Sequence, residues 1–130
     1  MRAAALAGLP TAEVFYEPHT EACVVRRFDR QRRADGTLAR LVQYDLCKLA
    51  GTGSDRKYEK EGGPGLAACA ELNRRYSAQP AVDLRHLVRW ALFNLCVGNN
   101  DGHAKNLSIY SLPGQGVMLT PFYLKARLTS

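Results

Sequence analysis

The sequence predicts an α+β domain. Three observations predict it. Apolar residues recur at helical spacing in three stretches between Leu38 and Cys96. Short extended runs stand at both ends of the chain, bounded by turn residues. Glycine and proline punctuate the junctions between these runs. The resulting order is two strands, three helices, a loop and a hairpin, with no internal repeat and no low-complexity tract. A chain of 130 residues forms one domain at most and is long enough for a real core.

Ala3 to Leu9 reads as the last turns of a helix, stopped by Gly8 and Pro10. Glu13 to Tyr16 and Ala22 to Arg27 read as two strands, joined by the turn residues Glu17, Pro18, His19 and Thr20. Asp35-Gly36 is a turn. Leu38, Leu41, Val42, Asp45, Leu46 and Leu49 follow at helical spacing up to a Gly51 stop, and the polar, glycine-rich stretch from Thr52 to Gly63 is a loop. Pro64 suits the first turn of the next helix, which carries Leu66, Cys69, Ala70, Leu72 and Asn73 and ends before Pro80. Asp83 is the expected N-cap of the third helix, whose apolar positions are Leu84, Leu87, Val88, Ala91, Leu92, Leu95 and Cys96. Trp90 is expected in the core. Tyr110 and Met118 to Thr120 form a short hairpin around Pro113-Gly114-Gln115-Gly116.

Composition narrows the function classes. Apolar content of 46% and charged content of 23% are those of an ordinary globular protein. Six tyrosines, four phenylalanines and a tryptophan argue against disorder. No apolar run is long enough to span a membrane, and the opening residues are too few and too weakly patterned for a secretory signal, so a cytoplasmic location is expected. Cys23, Cys47, Cys69 and Cys96 include no C-x-x-C pair, which argues against zinc; reduced thiols are expected, with Cys47, Cys69 and Cys96 on apolar helix faces. A net charge of +6 favours anionic partners. Arg26, Arg27, Arg30, Arg32 and Arg33 concentrate that charge, without the interleaved aromatics of a single-strand stacking platform.

The most informative stretch runs from Asn94 to Tyr110. Asp101 and Asn106 have four residues between them, the D-x-x-x-x-N spacing of a protein-kinase catalytic loop. There the aspartate accepts the proton of the attacking hydroxyl and the asparagine oxygen ligates magnesium. Both must reach one small pocket, which suits a short irregular loop between a helix and a strand. Alone, the spacing is weak, because Asn99-Asn100-Asp101-Gly102 is also a good exposed turn.

The wider string Val97-Gly98-Asn99-Asn100-Asp101-Gly102-His103-Ala104-Lys105-Asn106 resembles the catalytic loop of the HipA-like serine/threonine kinases, the toxin kinases of bacterial toxin–antitoxin pairs. Gly62-Gly63-Pro64-Gly65-Leu66 resembles a second block of that family, and Val25-Arg26-Arg27-Phe28-Asp29-Arg30 a third, the hinge strand between kinase lobes. The blocks keep the family's order from about residue 3 to Tyr123. The resemblance implies a protein-kinase-like C-lobe, mostly helical, with a short N-terminal hinge hairpin and an N-lobe largely missing. Residues 1–30 would be the end of the N-lobe and the hinge strand, and residues 31–130 a partial C-lobe with its catalytic loop at 97–107.

The same resemblance assigns roles. Asp101 is the catalytic base. Asn106 is the magnesium ligand and, with His103 and Lys105, faces the nucleotide. Arg26 and Phe28 hold the adenine edge through backbone groups, and Asp29 contacts the ribose. Arg26 departs from the glutamate usual at its position. ATP and magnesium are the implied cofactors. The implied partners are a HipB-like DNA-binding antitoxin, a protein substrate such as an aminoacyl-tRNA synthetase, and DNA only indirectly; no membrane is implied.

Two departures bear on activity. No glycine-rich phosphate loop and no strand lysine stand before residue 10, and Pro121-Phe122-Tyr123 is followed by Leu124 where the family carries a metal-binding aspartate. Residues 124–130 read as a small deletion or frame change. The chain as given is therefore expected not to transfer phosphate. Two other readings stay open: a pseudokinase module that holds an antitoxin or operator complex, and an unrelated α+β domain whose turn mimics the loop.

Overall fold

The computed structural model describes residues 2–52, 60 and 62–123. Among them 36% are helical and 25% are in strands. The α+β expectation holds at that level, and the mostly helical one does not. The elements in chain order are α1 (Arg2–Leu6), β1 (Val14–Glu17), β2 (Ala22–Val25), β3 (Arg30–Arg32), β4 (Leu38–Arg40), β5 (Gln43–Asp45), α2 (Leu46–Leu49), α3 (Leu66–Tyr76), α4 (Pro80–Cys96), β6 (Ser108–Leu112) and β7 (Gly116–Leu119), with a 3-10 turn at Ala104–Asn106. The strands form two hairpins, β1–β2 and β3–β4, and an antiparallel sheet in the order β5-β6-β7.

The first hairpin forms where expected. Val14 pairs with Val25 and Glu17 with Ala22. The turn is held by the Glu17 carboxylate, which accepts the Thr20 amide at 2.8 Å and the Thr20 hydroxyl at 2.8 Å. The next segment departs from the expectation. The helix expected from Leu38 is confined to Leu46–Leu49, and Leu38–Arg40 and Gln43–Asp45 are strands. Leu38 and Arg40 pair with Arg32 and Arg30 across the Asp35-Gly36 turn, and Gln43 pairs with Tyr110. Partners far along the chain override a local periodicity that was itself compatible with a helix. Asp45 ends β5 and caps α2, its carboxylate accepting the Lys48 amide at 2.8 Å. Most of the expected 52–63 loop lies outside the described residues.

The long helices form where expected, with shifted starts. α3 begins at Leu66 with Gly65 as N-cap, so Pro64 stands just outside it. α4 begins at Pro80 with Gln79 as N-cap, so Asp83 is not the cap. Asp83 is instead buried one turn inside, where its carboxylate accepts the Ser77 hydroxyl at 2.6 Å, the Gln79 side-chain amide at 3.0 Å and the Leu119 backbone amide at 2.9 Å.

The core lies between α2, α3, α4 and the three-stranded sheet. Leu46, Cys47, Cys69, Leu87, Trp90, Leu107, Ile109, Leu119 and Phe122 are buried in it. Trp90 is in the core as expected and stacks on Phe122 with ring centroids 6.2 Å apart. Cys47 and Cys69 are buried, but Cys96 is exposed at the end of α4. Val88, Leu92 and Leu95 are also exposed, against the expected apolar face. Leu87 is buried as expected and Leu84 and Ala91 pack against the core, while the other fully buried residues of α4 are Asp83, Trp90 and Asn94, so half of its fully buried residues are polar.

Candidate functional site

α4 delivers the chain into the loop that separates it from β6. Val97 closes the helix, Gly98 turns with φ of +66°, and the 3-10 turn Ala104–Asn106 leads into Leu107 and the strand. Two contacts seat the loop. A Cβ on Gly102 would lie 3.2 Å from Asn94 Cγ and 3.5 Å from Trp90 Cη2, so the backbone rests close on that part of α4 and a larger residue would press Asn94 aside. The Leu107 carbonyl accepts the Leu46 amide at 2.9 Å, which ties the loop's exit to α2.

Asp101, His103 and Asn106 come together. Asn106 is buried, and its side-chain amide donates to the Asp101 main-chain carbonyl at 2.6 Å. His103 Nε2 lies 3.6 Å from Asp101 Oδ1, with the histidine side chain 9% exposed and the aspartate 48%. A half-exposed carboxylate can meet an incoming hydroxyl. A buried carboxamide whose nitrogen is held by a carbonyl has its oxygen turned away from that carbonyl, and a carboxamide oxygen is the donor type that magnesium takes. Among the described residues no group of three His, Cys, Asp or Glu side chains gathers to bind a metal. A single carboxamide oxygen is a ligand that suits magnesium, which keeps several of its waters.

A polar cleft of about 500 Å³ lies beside this loop, lined by Arg27, Asp29, Gln43, Tyr44, Lys48, Lys105 and Tyr123 among others. Arg40 also lines it, so four cationic side chains face Asp29 and Asp45, a balance that attracts a polyanion. Asp29 is already engaged. It accepts two hydrogen bonds from Arg27 at 2.8 and 2.7 Å and one from Arg30 at 2.5 Å. The Arg27 hydrogen bond holds its pKa below the ordinary carboxylate value, against the opposing effect of burial.

The remaining expected residues are placed differently. Arg26 turns toward β1: its guanidinium pairs with Glu13 at 2.9 Å and lies over the Phe15 ring, and its backbone amide donates to the Glu13 carbonyl. Phe28 packs edge-on against Tyr110 at 6.0 Å and tilted against Tyr123 at 6.1 Å, behind the cleft lining. His103 lines a separate hollow of about 360 Å³ between the start of α3 and the end of α4, together with Leu66, Trp90, Leu95 and Asn99. Lys105 and Asp29 thus share one cavity, while His103 opens on another.

Residues 1–123 match the sequence profile of the HipA-like C-terminal domain. The chain belongs to that family. It is 46% identical over 127 residues to Y4mE of Sinorhizobium fredii, a protein with a kinase name, covering 95% of this chain and 30% of that protein. It is 31% identical over 136 residues to the serine/threonine-protein kinase toxin HipA of Shewanella oneidensis, covering 95% and 31%. The solved complex of Shewanella oneidensis HipA with HipB and its operator DNA contains a chain that superposes with a TM-score of 0.72 at 29% identity, over 95% of this chain and 32% of that one. The chain thus spans about a third of the length of these relatives.

The HipA-like chain also brings to the site residues that sequence reasoning did not single out. Arg40, Gln43 and Lys48 reach the cleft because β4 and β5 are strands with α2 directly after them, and the helical spacing of 38–49 concealed that, whereas Arg27 stood in the hinge block without an assigned role. Asn94 and Asn99 support the loop from behind. Asn99 stood inside the motif string; Asn94 had as its only signal a polar side chain at an interior helix position.

Proposed function

We propose that this chain is the catalytic-loop half-site of a HipA-like serine/threonine protein kinase. In the complete protein it would pass the γ-phosphate of ATP to a serine or threonine hydroxyl. The observation that carries this reading is the hydrogen bond from the Asn106 carboxamide to the Asp101 carbonyl, which turns the Asn106 oxygen away from that carbonyl next to a residue whose carboxylate is half-exposed. Asp101 then orients the acceptor hydroxyl and takes its proton. Asn106 holds magnesium, whose chemistry is to neutralise charge on the phosphates. The cleft that contains Lys105 and Asp29 receives the nucleotide, with Asp29 held by its two arginines at the entrance. His103, next to Asp101 on the opposite face, donates to the transferring group or its acceptor.

Residues 1–30 serve as the end of the N-lobe and the hinge strand, and 31–130 as part of the C-lobe, in this proposal, in a cytoplasmic protein. By itself the chain is expected not to turn over, because Leu124 follows Tyr123 where the resemblance places a second metal-binding aspartate. Calorimetric titration with ATP, with and without magnesium, tests the reading. Magnesium-dependent binding that is lost in Asn106→Ala supports it, and no binding to the folded chain removes it.

A second reading is favoured by the solved HipA assembly with HipB and operator DNA. In it the chain is a pseudokinase module that holds a HipB-like antitoxin, and through it DNA. Co-purification with a small helix-turn-helix protein, in the absence of nucleotide binding, would select this reading. Under the first reading a translation protein such as an aminoacyl-tRNA synthetase is the proposed target of the complete kinase.

A further inference from the structure

Three carboxamides and the two backbone polar groups of Asp101 form a hydrogen-bonded line behind the loop. The Asn106 amide donates to the Asp101 carbonyl at 2.6 Å, and the Asp101 backbone amide donates to Asn99 Oδ1 at 3.2 Å. Asn99 Nδ2 donates to Asn94 Oδ1 at 2.6 Å, and Asn94 Nδ2 donates to the Trp90 carbonyl at 2.8 Å. Every link donates toward α4, and the three bonds that run through the carboxamides of Asn99 and Asn94 polarise one another in the same sense.

The direction of this line is not free. A backbone carbonyl only accepts and a backbone N–H only donates. The Trp90 carbonyl therefore fixes Asn94 with its oxygen toward Asn99. The Asp101 N–H fixes Asn99 with its oxygen toward the loop and its nitrogen toward Asn94. The Asp101 carbonyl fixes Asn106 with its nitrogen inward. Reversing any one carboxamide would set two donors or two acceptors against each other. Asn94 is the rigid end: it is buried in α4, and Gly102 rests against it.

We infer that Asn99, seated on Asn94, is a positioning residue for the Asp101–Asn106 pair, and that the line from Trp90 through these asparagines sets which atom of Asn106 is presented to a ligand. The metal role of that atom rests on the proposed kinase reading; its orientation rests on the hydrogen bonds alone. The competing role for Asn99 is that of a turn cap, which needs only an acceptor for the Asp101 N–H. Aspartate would cap the turn equally well but has no donor for Asn94. Asn99→Asp therefore separates the two roles.

The experiment uses the full chain, with nitrogen-15 NMR of the Asn106 side-chain amide as the first readout. Asn73, whose side chain donates to the Pro80 carbonyl outside the line, is the internal control. Proton exchange at the Asn106 amide should quicken roughly tenfold in both Asn99→Ala and Asn99→Asp, with Asn73 unchanged. Calorimetry is the second readout: the gain in ATP affinity on adding magnesium should fall about tenfold in both variants, with metal-free affinity unchanged. An Asn106 amide in Asn99→Asp that matches the wild type, or a metal-dependent gain that survives, would overturn the inference. If the wild-type chain binds no ATP at all, the kinase reading fails, while Asn106 exchange still decides the line. The near-isosteric Asn99→Asp decides it alone if alanine also disturbs Asn73.

Discussion

The carboxylate of Asp83 accepts the backbone amide of Leu119 at 2.9 Å, across 36 residues of sequence. One residue lies in the first turns of α4 and the other at the end of β7. The bond clamps the start of α4 to β7, the partner strand of β6, and both groups are buried. Removing the carboxylate leaves the Leu119 amide and the Ser77 and Gln79 side chains without their acceptor. Asp83→Ala should cost about 2–4 kcal/mol, measured by urea unfolding. A loss below about 1 kcal/mol would mean that water replaces the clamp.

Asp101 supports Asn106 through its main chain, so its side chain and its backbone have separable roles. Asp101→Asn should leave magnesium-dependent ATP binding intact, whereas Asn106→Ala should lower it on the order of tenfold or more. Titration calorimetry on the two variants checks this. Equal losses in both would show that the Asp101 carboxylate itself takes part in binding.

Asp29 adds a pH dependence to stability. Arg27 lowers its folded pKa below the ordinary 3.8, so its contribution is fully present above that value and is lost as pH falls through the lower folded value. Arg27 is largely exposed, which keeps the effect small. Melting curves of the wild type and Asp29→Asn should differ at pH 7 and converge in strong acid. A constant offset at every pH would assign the effect to packing.

Gly116 turns with φ of +86°, and a Cβ there would lie 2.8 Å from the Ala78 Cβ. Alanine at this position meets an unfavourable backbone conformation and a collision at once. Gly116→Ala should cost about 2–3 kcal/mol. Gly36 also has positive φ, but a Cβ there would meet no atom within 4 Å, so the same change should cost only about 1 kcal/mol. Paired thermal denaturation curves check the ranking.

The thiols should divide by burial. Cys23 and Cys96 should react with a maleimide in the native chain, while Cys47 and Cys69 should react only on unfolding. Burial also raises the pKa of Cys47, which disfavours its thiolate. Mass spectrometry of the labelled native protein reads the outcome directly.

What was legible in the sequence was local. The turn chemistry from Glu17 to Thr20, the periodicity of α3 and α4, the glycine-rich hairpin after Tyr110 and the motif from Val97 to Asn106 are each decided by neighbours within a few residues. Those signals were enough to point to the HipA-like family. Tertiary structure decided the rest, because the deciding partners are distant in sequence. Gln43–Asp45 is a strand because β6 lies beside it, and that pairing carries Gln43 and Lys48 to the cleft. α4 buries Asp83 and Asn94 while it exposes Val88, Leu92 and Leu95, because buried hydrogen-bond partners wait for the polar pair and none of the described residues covers the apolar row. The sequence by itself determined the family motif and the candidate residues within it. The packed structure decided which way each one faces, because orientation depends on hydrogen bonds and contacts made across the chain.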